Sequence, residues 1–147
     1  MGKNYNYKII QLGEKERKTI LKKIAFAVSN LLPDNPALKT DLEKLDDSWK
    51  KLIDHSQEID LNTAHLVLNS LGSYLGELFK QDFPHFEWKI FQDKIGSDLC
   101  LYFEHKGKDI IIYPVSSLYK GFAAKDRDCL TVYFNQTKEE IVKWMKG

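Results

Sequence analysis

Leu66-Val67-Leu68-Asn69-Ser70-Leu71-Gly72-Ser73-Tyr74-Leu75-Gly76-Glu77-Leu78-Phe79 is the most helix-like apolar run in the chain, and two glycines interrupt it. A glycine inside a helix costs roughly 1 kcal/mol relative to alanine, so the pair costs about 2 kcal/mol. Close approach of another backbone to a face without side chains offsets that loss. Gly72 and Gly76 are four apart and share one side of a helix, so they make one small flat patch. Aromatic-rich segments follow at once, Phe86-Glu87-Trp88-Lys89-Ile90-Phe91 and Leu99-Cys100-Leu101-Tyr102-Phe103. Their alternation reads as strands, and the expectation is a helix lying tightly on a sheet, with Gly72, Gly76 and Trp88 as structural residues.

Upstream, Glu14 to Leu32 carries Ile20, Leu21, Ile24, Ala25, Val28, Leu31 and Leu32 at helical spacing and is stopped by Pro33. Asn35 reads as an N-cap with Pro36 at the first helical position, opening a second helix striped by Leu38, Leu42, Leu45, Trp49, Leu52 and Ile53. Asp60 caps the glycine helix and Pro84 stops it. Downstream, Asp109-Ile110-Ile111-Ile112-Tyr113 is a third strand closed by Pro114, a structural residue before a short helix over Val115 to Phe122. Short loops make the three strands an antiparallel meander. Leu130-Thr131-Val132-Tyr133-Phe134 reads as a fourth strand. Thr137-Lys138-Glu139-Glu140 reads as a capping box before a last helix with Ile141, Trp144 and Met145 inward. The fold expected is α+β: a helical N-terminal half packed on a three- to four-stranded antiparallel meander sheet, then a C-terminal helix. One domain over 1–147 suits this length, with residues 1–8 as a flexible arm.

Composition narrows the function. With 22 basic and 21 acidic residues the net charge is +1, which removes the electrostatic case for nucleic-acid binding. The polar start lacks the apolar core of a secretory signal, and no apolar run is long enough to span a membrane, so a cytoplasmic location without membrane attachment is expected. Cys100 and Cys129 are the two cysteines; free thiols are expected of them in a reducing compartment. His55, His65, His85 and His105 are too dispersed for a zinc site, and no metal or cofactor is expected. Cys100 and His105 are five apart on a strand, hence on opposite faces. Asp126 and Asp128 beside Cys129 oppose a thiolate. Glu77 with Glu87 or Asp98 is the remaining candidate for a carboxylate pair, and Ser116-Ser117 suits a helix N-cap better than a nucleophile. No catalytic residue emerges, and the expectation is a non-enzyme.

Gly72-Ser-Tyr-Leu-Gly76-Glu77, Phe86-Glu-Trp88, Ile112-Tyr-Pro114 and Val115-Ser-Ser-Leu118 together resemble a bacterial family, the domain of unknown function 3806, over about Asp60 to Phe134. The resemblance implies a small accessory protein, with some members similar to immunity proteins encoded beside secreted toxins, and it implies no catalytic residues. The function expected on this basis is binding and inhibition of a cognate bacterial toxin. The alternative is a small enzyme or ligand-binding domain using the cleft between the glycine helix and the sheet. Tyr119, Phe122 and Arg127, in the Leu118–Asp128 connection, are the expected partner-binding residues, because aromatic and arginine side chains anchor interfaces.

Overall fold

Alternating apolar residues after Pro84 bury one face of a sheet. A computed structural model describes residues 6–34, 37, 38 and 40–147. Its strands are β1 (Lys8–Gln11), β2 (Glu87–Gln92), β3 (Ser97–His105) and β4 (Lys108–Ile112), in spatial order β1-β2-β3-β4 and antiparallel throughout. Trp88 pairs with Leu101 and Leu101 with Ile112, so these three share one face with Phe103 and Ile110. Lys106 at φ 51° and Gly107 at φ 79° make the two-residue β3–β4 turn, whose left-handed pair matches the strand twist. The fourth strand is therefore β1, next to β2. Tyr7 stacks on Phe91 with ring centroids 5.0 Å apart, and Lys8 pairs with Gln92. The end of the expected arm is thus docked; residues 1–5 lie outside the described part.

Leu130-Thr131-Val132-Tyr133-Phe134 is not a strand. It opens α5 (Cys129–Lys146), in which Leu130, Phe134 and Ile141 are buried at helical spacing. A short β-branched and aromatic run is ambiguous by itself, and here the longer period decides it. Thr137 consequently lies inside α5 and caps nothing. Met145 packs on the core, but Trp144 turns outward and is 40% exposed.

The remaining helices are α1 (Glu14–Phe26), α2 (Asp41–Asp54), α3 (Leu61–Asp82) and α4 (Pro114–Ala123). A π-helical turn, Ala27–Leu31, carries α1 on to its end before Pro33. The Thr40 hydroxyl accepts from Glu43 N at 3.1 Å, so α2 starts at Asp41, later than expected, and leaves Leu38 outside; Asn35 and Pro36 lie outside the described residues. Asp60 caps α3 as expected, accepting from Thr63 N at 2.8 Å. Pro114 is the first residue of α4, where its missing N–H leaves no bond unmade.

α3 runs through the centre, with Leu68, Leu71, Leu75 and Phe79 buried between the strands and the other helices. Its glycines serve two partners. A Cβ on Gly72 would stand 2.7 Å from the Val115 Cα, so the first turn of α4 rests on that position. A Cβ on Gly76 would clash with the Cζ2–Cη2 edge of the Trp88 ring of β2. The patch thus seats one helix start and one strand side chain.

Candidate functional site

β1 ends at Gln11, opposite Lys89, so among the described residues Trp88 and Glu87 have no paired strand on that side of β2. The chain leaves the sheet through Leu12 and Gly13 and turns into α1. The gap left between α1, α3 and β2 is a cleft of about 420 Å³. Leu12, Ile20, Ile24 and Trp88 give it apolar walls; Arg17, Glu77, Lys80, Glu87 and Lys89 supply charge. Trp88 donates from Nε1 to Glu77 Oε2 at 3.1 Å, and Lys80 Nζ is 3.5 Å from the same oxygen. Lys89 pairs with Glu87 at 3.2 Å. Among the described residues, the Arg17 guanidinium is the one cation of the cleft without a carboxylate partner.

A second concavity, about 400 Å³, lies along the outer side of β4. Lys108 to Ile111 form its floor and Lys143 and Trp144 of α5 its wall. α5 is held there by His105, which donates from Nε2 to the Met145 carbonyl at 3.0 Å.

Of the candidate carboxylates, Glu77 and Glu87 line the same cleft, but each of the three is already engaged. Glu77 is taken by Trp88 and Lys80, Glu87 by Lys89, and Asp98 accepts from the Ser116 hydroxyl at 2.6 Å. Ser116 is not a cap, because Pro114 starts α4 two residues earlier and Tyr113 holds the N-cap position. Both cysteines are free. Burial, then the Asp98 carboxylate, pushes the Cys100 thiol up to about 12, and burial with Asp126 raises Cys129 as well. Neither is poised as a thiolate at neutral pH. Among the described residues no three His, Cys, Asp or Glu side chains converge as metal ligands, and no helix is long and apolar enough to cross a membrane.

Tyr119, Phe122 and Arg127 do not share an exposed loop. Tyr119 and Phe122 lie on α4, half-buried against the core. The Tyr119 hydroxyl accepts from Asn69 Nδ2 at 2.8 Å and is 2.8 Å from His65 Nδ1, which ties α4 to α3. Burial raises this phenol despite the Asn69 bond. Arg127 is exposed and makes a two-point contact with Asp54 of α2, at 2.7 and 3.2 Å. The nearby Trp49, fully buried, donates to the Asp126 carbonyl at 2.9 Å. Tyr119 therefore ties two helices together, while Trp49 and the exposed Arg127–Asp54 pair join α2 to the turn between α4 and α5.

The family model of a domain of unknown function (DUF3806) matches residues 41–133, from the start of α2 to the first turn of α5. The chain belongs to this family. The DUF3806 match includes both glycines, Trp88 and Pro114, and leaves β1 and α1 outside it. A crystal structure of a protein from Bacteroides thetaiotaomicron VPI-5482, at 1.50 Å resolution, is similar with a TM-score of 0.59 and 19% identity. The likeness covers 91% of this chain and 49% of that one, so this chain spans about half that protein's length. At such identity the likeness concerns the fold alone. No curated protein matches the sequence.

Proposed function

We propose that this DUF3806 domain acts by binding another protein stoichiometrically, as an immunity-like inhibitor of a cognate bacterial toxin. The open outer side of β4 is the observation that supports a protein partner. β4 is last in the sheet, so one row of its backbone N–H and C=O groups has no strand beside it among the described residues. Natural edges are commonly blunted by proline, bulges or inward charge. β4 carries charge only in its first two residues, Lys108 and Asp109; Ile110-Ile111-Ile112 has neither proline nor charge, and the concavity beside the strand has room for an extended segment. Such a segment would add a fifth strand, with main-chain hydrogen bonds for affinity and Trp144 as the aromatic anchor. Lys108 and Lys143 outweigh Asp109 among the lining residues, which favours an acidic segment. The toxin class of the partner rests on the resemblance of the family to immunity proteins.

The test is expression of the neighbouring toxin domain with and without this chain, repeated with Trp144→Ala and Lys143→Glu. Both positions are exposed, so both variants should fold. Rescue of growth by the intact chain is expected, with Trp144→Ala losing about 2 kcal/mol or more of affinity at an unchanged melting temperature. No rescue by the intact chain ends the inhibitor reading. Equal rescue by all three proteins rules out the β4 edge as the contact.

A further inference from the structure

We infer that the cleft between α1 and β2 is a binding site for a small carboxylate with an apolar body. This goes beyond the protein-binding reading and uses a different surface. At about 420 Å³ the cleft is within the range of small-molecule sites, roughly 300–1,000 Å³. Its walls are fixed before any ligand arrives. Trp88 is seated on Gly76, rests beside Leu101 and is held by Glu77 through its indole N–H, so the ring has little freedom to lose. Leu12 and Ile20, both buried, belong to the turn and helix facing it.

The charges select the ligand's sign. Glu77 and Glu87 are each balanced by a lysine, whereas Arg17 has no ionic partner among the described residues. The charge left uncompensated in the cleft is one guanidinium, a planar donor fork that matches a carboxylate at two points. An amine of the same shape would meet Arg17 with like charge, and a neutral analogue would leave the guanidinium unanswered. The apolar body fills the space between Trp88 and Ile24, and the carboxylate takes Arg17.

The experiment titrates the ¹⁵N-labelled full chain with phenylacetate and, separately, with phenethylamine. The indole N–H resonances of Trp49, Trp88 and Trp144 serve as three reporters at three places. Phenylacetate should shift Trp88 saturably and leave Trp49 and Trp144 in place, and phenethylamine should shift none. Arg17→Gln, at an exposed helix position that leaves the fold intact, should weaken phenylacetate at least tenfold. Arg17→Lys, which keeps the charge and loses the fork, should weaken it less. No saturable Trp88 shift, an equal response to the amine, a shift at Trp144 instead, or unchanged binding by Arg17→Gln would each overturn the assignment.

Discussion

Gly76→Ala drives one methyl group into the Cζ2–Cη2 edge of the Trp88 ring, and the outcome is set by three contributions. Alanine in a helix interior gains about 1 kcal/mol over glycine. Overpacking costs about 1–3 kcal/mol, since the ring must leave its seat. Moving the ring also breaks the indole bond to Glu77, at about 1 kcal/mol. The net is a destabilisation of about 1–3 kcal/mol, which in a domain of this size lowers the melting temperature by roughly 2–4 °C per kcal/mol. The assay is thermal unfolding followed by circular dichroism. Gly96→Ala is the control, because nothing stands within 4 Å of a Cβ there. The sharper measurement is the double-mutant cycle with Trp88→Leu, which vacates the ring's position and keeps an apolar contact. In that background the methyl group has room, and Gly76→Ala should become stabilising by up to about 1 kcal/mol. A Gly76→Ala melt at or above that of the parent, or a destabilisation of the same size with Trp88→Leu, would refute the seating argument.

Tyr119→Phe should cost about 0.5–1.5 kcal/mol in a denaturant titration, because it leaves Asn69 and His65 without their shared hydroxyl. Arg127→Ala removes only an exposed pair with Asp54 and should leave the melting temperature nearly unchanged. Ellman's reagent on the native protein should label half-buried Cys129 before Cys100, whose reaction waits on opening of the sheet. Stability should fall as pH rises from about 9 to about 12, because burial lifts the Cys100 thiol from 9.0 to about 12. The unfolded chain loses that proton first, so the stabilisation is complete below about pH 9 and is lost towards 12; urea midpoints across this interval provide the check.

The three hairpin-linked strands were legible because each alternates over a stretch bounded by turn residues, and α3 because its stripe is long and capped by Asp60. The glycine pair announced close contacts, but that Gly72 meets α4 while Gly76 meets Trp88 is a matter of tertiary packing. β1 escaped detection because Lys8–Gln11 is too short to display a period, and its partner lies beyond three helices. Leu130–Phe134 misled because β-branched and aromatic content was read over five residues, when Leu130, Phe134 and Ile141 together declare a helix. The short helix expected over Val115 to Phe122 is α4, which runs from Pro114 to Ala123, so Tyr119 and Phe122 belong to it and only Arg127 of the three lies in the connection that follows. A cleft between the glycine helix and the sheet was an expectation, but its third wall, α1, and its opening beside Trp88 were not legible. It exists because β1 stops one pair short of Trp88, and pairing register at that resolution is not written in the local sequence.

The placement of β1 has a consequence for the order in which the molecule assembles. β2, β3 and β4 are joined by tight turns and can pair as neighbours, whereas β1 must find β2 across α1, α2 and α3. Long-range pairing is entropically slow, so β1 and α1 should dock last onto a unit already formed from α2 to α4. That unit falls within the stretch shared with the family, residues 41–133. The four-residue β1 should likewise be the first part of the sheet to release, its amides exchanging with solvent ahead of those of β3. The cleft beside Trp88, having α1 as one wall, would then be the last cavity to appear during folding and the first to vanish during unfolding.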